Sequence, residues 1–172
     1  KRQRLHMTTL LILGVDPGLN RCGWGLVASE GSRLMHVAHG VIKPPAQQQL
    51  ASRLHDVFDG LCAVIAQYNP HEVAVEETFV NSNARAALAL GQARGVALAA
   101  AARGGLAVAE YSPATVKKAV VGSGAADKTQ IAFMVQRLLP AAGAVTADAA
   151  DALGVALCHA AHGGSRRRAH GA

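Results

Sequence analysis

Four acidic residues occupy positions from which their carboxylates could act together. Asp16 ends an apolar segment, LLILGVD, that is typical of a buried strand, and Pro17-Gly18 interrupts this segment at once. Glu76 ends a second short apolar segment, EVAVE. If these two strands are neighbours, both acids emerge at the same edge of the sheet, where open α/β sheets bind their ligands.

The other two acids, Asp148 and Asp151, stand three residues apart in the run ADAADA. In a helix this spacing separates them by about 60° around the axis and roughly 4.5 Å along it, so both can face one target. The plainer alternative is that Asp148 only caps the start of a helix, where acids are favoured. Glu77 is the alternative to Glu76 if the strand register shifts by one residue.

Carboxylates without a ring of cysteine or histidine indicate hard cations such as Mg²⁺ or Mn²⁺. Two such ions roughly 4 Å apart are commonly used to displace a phosphodiester oxygen. The chain carries 17 Lys and Arg against 11 acids, a formal charge of +6, with a pI near 9.7. This balance predicts a polyanionic partner. An acid cluster in a basic chain therefore favours metal-dependent phosphodiester chemistry.

Composition limits the class of protein. Hydrophobic residues make up 51% of the 172 residues, which is enough for one well-buried core. No apolar run reaches the roughly 18 residues of a membrane helix, so we expect no membrane association. Cys22, Cys62 and Cys158 lack metal-type spacing and predict reduced thiols in the cytoplasm.

Apolar periodicity predicts five strands and five helices. The strands are expected at 9–16, 24–28, 33–42, 72–75 and 106–110, and the helices at 47–68, 84–102, 113–121, 126–138 and 146–162. The short joins between the first three strands imply an antiparallel meander. The alternation that follows implies two parallel strands, which gives a mixed five-stranded sheet flanked by helices in an α/β fold.

The chain divides into three parts on this interpretation. Residues 1–8 form an N-terminal extension, and no leader peptide is expected there. Residues 9–163 form a single domain without a linker or repeat. Residues 164–172 form a basic tail that we expect to be disordered.

The motifs together resemble the RuvC-type Holliday junction resolvases of bacteria. The matching runs, in family order, are GVDPGLNRCGWG (14–25), VEETF (75–79), LGQARG (90–95), VKKAVVGSGAADKTQ (116–130) and ADAADALGVAL (147–157). The resemblance implies a ribonuclease-H-like fold, a homodimer, and Mg²⁺-dependent endonuclease action on four-way DNA junctions. It also implies two ions per active site, with Mn²⁺ as a substitute, and work beside the RuvA and RuvB branch-migration complex.

The resemblance also assigns roles to residues. The family's catalytic and metal-binding acids fall on Asp16, Glu76, Asp148 and Asp151, and its basic DNA-contacting positions on Lys117 and Lys128. Phe79 resembles the family's aromatic residue that stacks on an unpaired base, although a core position at a strand end is the alternative. Asn83 and Arg85 are further candidates for DNA contact.

Two other functions stay open at this point. A ribonuclease-H-like nuclease that processes RNA would need the same acids. A junction-binding protein without catalysis would need the basic residues but not the acids, so the intact set of four acids argues against it.

Overall fold

The computed structural model describes residues 9–78 and 83–169, with side-chain positions through residue 163. Within these residues the strands are β1 Leu10–Asp16, β2 Cys22–Glu30, β3 Arg33–Ile42, β4 Glu72–Glu76 and β5 Ala107–Tyr111. The helices are α1 Leu50–Tyr68, α2 Ala84–Arg103, α3 Pro113–Val121, α4 Lys128–Leu138 and α5 Ala147–Ala169. A short 3-10 helix, Pro140–Ala142, lies between α4 and α5.

The strands form one mixed sheet in the order β3-β2-β1-β4-β5. The pairs β1–β2 and β2–β3 are antiparallel, and the pairs β1–β4 and β4–β5 are parallel. Gly31 makes the tight turn between β2 and β3, with a positive φ of 62° that glycine adopts easily. The parallel pairs are reached through the crossover helices α1 and α2. The predicted fold class and sheet are therefore confirmed.

The two faces of the sheet are covered by different helices. Ile12 and Ala74 pack in a core with α3, α4 and α5, whereas Leu13, Val73 and Val75 pack in a core with α1 and α2. This alternation follows from the two-residue period of a strand. It assigns every side chain of β1 and β4 to one face or the other.

Helix α5 lies unusually close to the sheet because glycines of β1 and β2 face it. A Cβ atom on Gly14 would lie 2.1 Å from the carbonyl oxygen of Ala152, and one on Gly23 would lie 2.0 Å from the carbonyl oxygen of Asp148. The facing residues Ala149 and Ala156 are fully buried. Any larger side chain at these glycines would push the helix away.

Several element ends differ from the predicted ones. Helix α1 begins at Leu50 rather than 47, and α4 begins at Lys128 rather than 126, because Asp127 and Gln130 form a capping box. Helix α5 does not end at 162 but continues along the backbone to Ala169. The expected disorder of the tail at 164–172 stays a prediction.

None of the helices within residues 9–78 and 83–169 combines the length and the apolar character that a membrane crossing demands.

The close approach of α5 predicts a stability difference between two glycine-to-alanine variants. Gly14→Ala should lower the free energy of unfolding by about 1–3 kcal/mol, because its methyl group overlaps the backbone of α5. Gly91→Ala is the matched control, since nothing lies within 4 Å of its added Cβ in α2. It should gain about 0.5–1 kcal/mol from helix propensity. Urea unfolding measures both, and equal effects would contradict the packing described.

Candidate active site

Asp16 and Glu76 emerge side by side from the centre of the sheet. Strands β1 and β4 run parallel, with Val15 opposite Val75, so the next residue of each strand is an acid at the same edge. Asp16 lies two residues beyond Gly14, and Glu76 two residues beyond Ala74, which places both on the face that α5 covers. The condition that the two strands be neighbours is therefore met.

The strand alternation separates Glu76 from Glu77. Glu77 follows the last residue of β4, and its backbone N–H donates to the carbonyl of Tyr111 at 2.8 Å. A cavity of about 170 Å³ beside the sheet edge is lined by Asp16, Glu76 and Asp151 but not by Glu77. Glu77 lines a second cavity of about 160 Å³ together with Asp16 and Glu76. Glu76 is therefore the glutamate that shares a cavity with both Asp16 and Asp151.

The first turns of α5 bring the other two acids to this edge. The backbone carbonyl of Asp148 sits against Gly23, and Asp151 follows about one turn later. Asp151 lines the cavity with Asp16 and Glu76, whereas Asp148 does not. The structure thus brings three of the predicted acids to one cavity and holds the fourth beside them.

Two cations of the protein engage the acids of α5. The ammonium group of Lys128 lies 3.3 Å from Oδ2 of Asp151, and Nε of Arg21 donates to Oδ2 of Asp148 at 2.5 Å. The Lys128 side chain is 78% exposed, so it can also reach outward to a ligand. The Asp151 carboxyl is only 17% exposed.

The cavity acids bind protons more tightly than ordinary carboxyl groups. Burial, followed by the charge of Asp151, raises the pKa of Asp16 to about 7. Burial, followed by the charges of Asp16 and Asp151, raises the pKa of Glu76 to about 8. Lys128 opposes both shifts. Burial is therefore the main reason that these carboxyl groups retain protons, and the neighbouring carboxylates add to the effect.

The residues fit divalent cations by donor chemistry, since the cluster offers carboxylate oxygens that repel one another. In the conformation described, no three acidic, histidine or cysteine side chains of residues 9–78 and 83–169 already converge on a point that would hold an ion. Arg21 and Lys128 occupy one oxygen each of Asp148 and Asp151 instead. An ion that binds through these same oxygens would displace the side-chain cation from them.

The predicted DNA-contacting residues divide into three groups. Lys117 and Lys128 line the acid cavity, from the end of α3 and the start of α4. Asn83 caps α2 by accepting a hydrogen bond from the backbone of Ala86 at 3.1 Å, and Arg85 lines a separate groove beside α2. Phe79 lies outside the described residues.

The structure adds two arginines that sequence reasoning did not single out. Arg21 pairs with Asp148 from the loop between β1 and β2, and Arg53 of α1 bonds to that loop at Leu19 and Asn20. The partners Arg21 and Asp148 are 127 residues apart in the chain. No local spacing signals such a pair.

The fold is that of a known class of DNA-processing proteins. The yeast mitochondrial Holliday junction resolvase Ydc2 superposes with a TM-score of 0.63 at 13% identity, over 92% of this chain and 83% of that one. Thermus thermophilus RuvC, solved in complex with a Holliday junction substrate, superposes with a TM-score of 0.84 at 32% identity. That match covers 91% of this chain and 96% of the solved one. The class is therefore the ribonuclease-H-like resolvases.

Sequence comparison defines the family. The model of the family described as crossover junction endodeoxyribonuclease RuvC matches residues 12–159. The crossover junction endodeoxyribonuclease RuvC of Caulobacter sp. strain K31 is 63% identical over 149 residues, which are 87% of this chain and 88% of that protein. This chain belongs to the RuvC family.

The raised pKa of Asp16 predicts a pH-dependent effect of Asp16→Asn. Without metal, the folded protein keeps a proton on Asp16 between about pH 4 and 7 that the unfolded chain releases, since the pKa rises from 3.8 to about 7. Stability therefore falls as pH rises through this window. The asparagine variant escapes that loss, so it should gain about 2–3 kcal/mol relative to the native chain between pH 5 and pH 8.

Urea unfolding in EDTA at the two pH values measures this gain. The native chain at pH 5 serves as the internal reference, because Asp16 is then protonated in the folded state. A difference between the two proteins that is the same at both pH values would show that Asp16 is not buried among like charges.

Proposed function

We propose that this chain is a structure-specific DNA endonuclease that resolves four-way junctions in recombination and repair. It hydrolyses one phosphodiester bond in each of two symmetric strands, leaving 5′-phosphate and 3′-hydroxyl ends. The observation that carries the proposal is one cavity that joins Asp16, Glu76 and Asp151 to Lys117 and Lys128. The membership of this chain in the RuvC family supports the same activity.

Asp16, Glu76, Asp148 and Asp151 are the proposed metal-binding and catalytic residues. Their oxygen-only donor set suits Mg²⁺, with Mn²⁺ as a substitute and two ions per site. When bound, such ions supply Lewis acidity and neutralise charge during in-line displacement at phosphorus. The chain's own contribution is to fix the carboxylates. Strands β1 and β4 hold Asp16 and Glu76 at one edge, and α5 carries the other two, with the backbone of Asp148 against Gly23.

Lys117 and Lys128 are proposed to bind the scissile region through its phosphates. Both line the acid cavity from the two sides of the loop between α3 and α4. A lysine there neutralises phosphate charge without reading the base sequence. Phe79, Asn83 and Arg85 are proposed to contact DNA near the crossover, because Asn83 and Arg85 begin the helix that follows β4.

The proposed assembly is a homodimer in the cytoplasm. A twofold pair presents two identical sites to the two symmetric strands of a four-way junction, which accounts for paired nicks. The RuvA and RuvB complex is the proposed partner in branch migration, by family membership.

A cleavage assay on synthetic DNA tests the proposal. A four-way junction, a linear duplex with the same arms and an RNA–DNA hybrid are each incubated with Mg²⁺ and the native chain, Asp16→Asn or Asp59→Asn. The native chain should nick the junction at two symmetric positions and leave the duplex intact. Asp16→Asn should lose at least about 100-fold in rate while it still binds the junction, since a metal ligand is gone.

Asp59→Asn is the matched control. It makes the same chemical change on α1, where the Asp59 side chain is 60% exposed and the helix packs on the opposite face from α5. It should cleave like the native chain. Junction binding without nicking would leave a recognition protein, and cleavage of the RNA strand alone would indicate an RNA-processing nuclease.

A further inference from the structure

Asp148 is held by a cation of the protein itself. Nε of Arg21 donates to Oδ2 of Asp148 at 2.5 Å, across the gap between the β1–β2 loop and α5. The carboxyl group is 25% exposed and the arginine side chain is 48% exposed. Asp148 is also the one acid of the four that does not line the cavity of the other three. In the conformation described, Asp148 thus pairs with Arg21 instead of lining the cavity, although its charge still helps to raise the pKa of Asp16.

Hydrogen bonds from α1 hold the loop that carries Arg21. Arg53 of α1 donates from Nη2 to the carbonyl oxygen of Leu19 at 3.2 Å and also bonds to the side chain of Asn20. Arg53 is itself partly buried. The backbone beside Arg21 is thus fixed, while half of the Arg21 side chain remains in water.

We propose that Arg21 is a positioning residue that competes with divalent metal for Asp148. Without metal, Arg21 holds the Asp148 carboxylate in place through their ion pair. When metal binds, this ion pair breaks and the carboxylate binds the metal. The inference rests on the proposed function, because it takes Asp148 as a metal-binding residue. In this proposal Arg21 lowers the affinity of the site for metal, whereas Lys117 and Lys128 bind phosphate.

The physical basis is the strength of the two competing interactions. A half-exposed ion pair is screened by water and therefore weak. A dication held among several carboxylates attracts Asp148 more strongly than one guanidinium does. The exchange is therefore favourable, but it uses part of the metal's binding free energy. Removal of the guanidinium should tighten metal binding.

The test measures Mn²⁺ binding by the paramagnetic resonance signal of free Mn²⁺, on the folded full chain without DNA. Arg21→Gln should bind Mn²⁺ about two- to fivefold more tightly than the native chain. Arg33→Gln is the matched control. Arg33 is exposed, and it lies opposite Glu30 in the register of β2 and β3, at the other end of the strands from Asp16. It should bind like the native chain. A merely structural role for Arg21 would give weaker binding in its variant.

A double-mutant cycle separates direct contact from general charge. In an Asp148→Asn background, Arg21→Gln should no longer change Mn²⁺ affinity, because its partner is gone. Unchanged or weaker binding by Arg21→Gln, or equal tightening in both backgrounds, would overturn the inference. If the native chain and Asp16→Asn bind Mn²⁺ equally poorly, the proposed metal site itself fails, which is a distinguishable result.

Discussion

The backbone contact between α5 and the glycines of β1 and β2 determines how closely the acids of α5 approach those at the ends of β1 and β4. The carbonyl oxygen of Asp148 lies where a side chain on Gly23 would be, and the backbone of Ala152 lies where one on Gly14 would be. The buried alanines of α5 complete this approach from the helix side. Because a helix cannot come so near to a sheet through larger side chains, the first turn of α5 reaches the strand ends only through this contact.

That geometry opposes stability in the absence of metal. Asp16 and Glu76 are buried beside Asp151, and their raised pKa values express first the cost of burying a charge and then the repulsion between like charges. Lys128 and Arg21 compensate part of this cost by pairing with Asp151 and Asp148. A site built for divalent cations is expected to show such residual repulsion, because functional sites commonly reduce stability.

Much of this arrangement could be predicted from local patterns. The bounds of β3 and α3 agree with the prediction, since turn and capping residues mark both ends. The start of α4 was predicted two residues too early, although the capping-box spacing of Asp127 and Gln130 marks Lys128 as the first helical residue. The pairing of β1 with β4 was only a condition of the sequence argument, and the structure meets it.

The rest depended on long-range contacts that leave no periodic signal. The Arg21–Asp148 pair joins residues 127 positions apart. Gly23 and Gly25 lie on either side of Trp24 in the run that follows Asp16. The structure shows that they admit the backbone and side chains of α5, including Leu153 against Gly25.

The most direct test of the account is anomalous diffraction from crystals soaked in Mn²⁺. The account predicts Mn²⁺ peaks among Asp16, Glu76, Asp148 and Asp151, with the Arg21 guanidinium displaced from Asp148. Mn²⁺ bound elsewhere, or no peak at these carboxylates at saturating Mn²⁺, would contradict the claim that α5 and the sheet together build a divalent metal site.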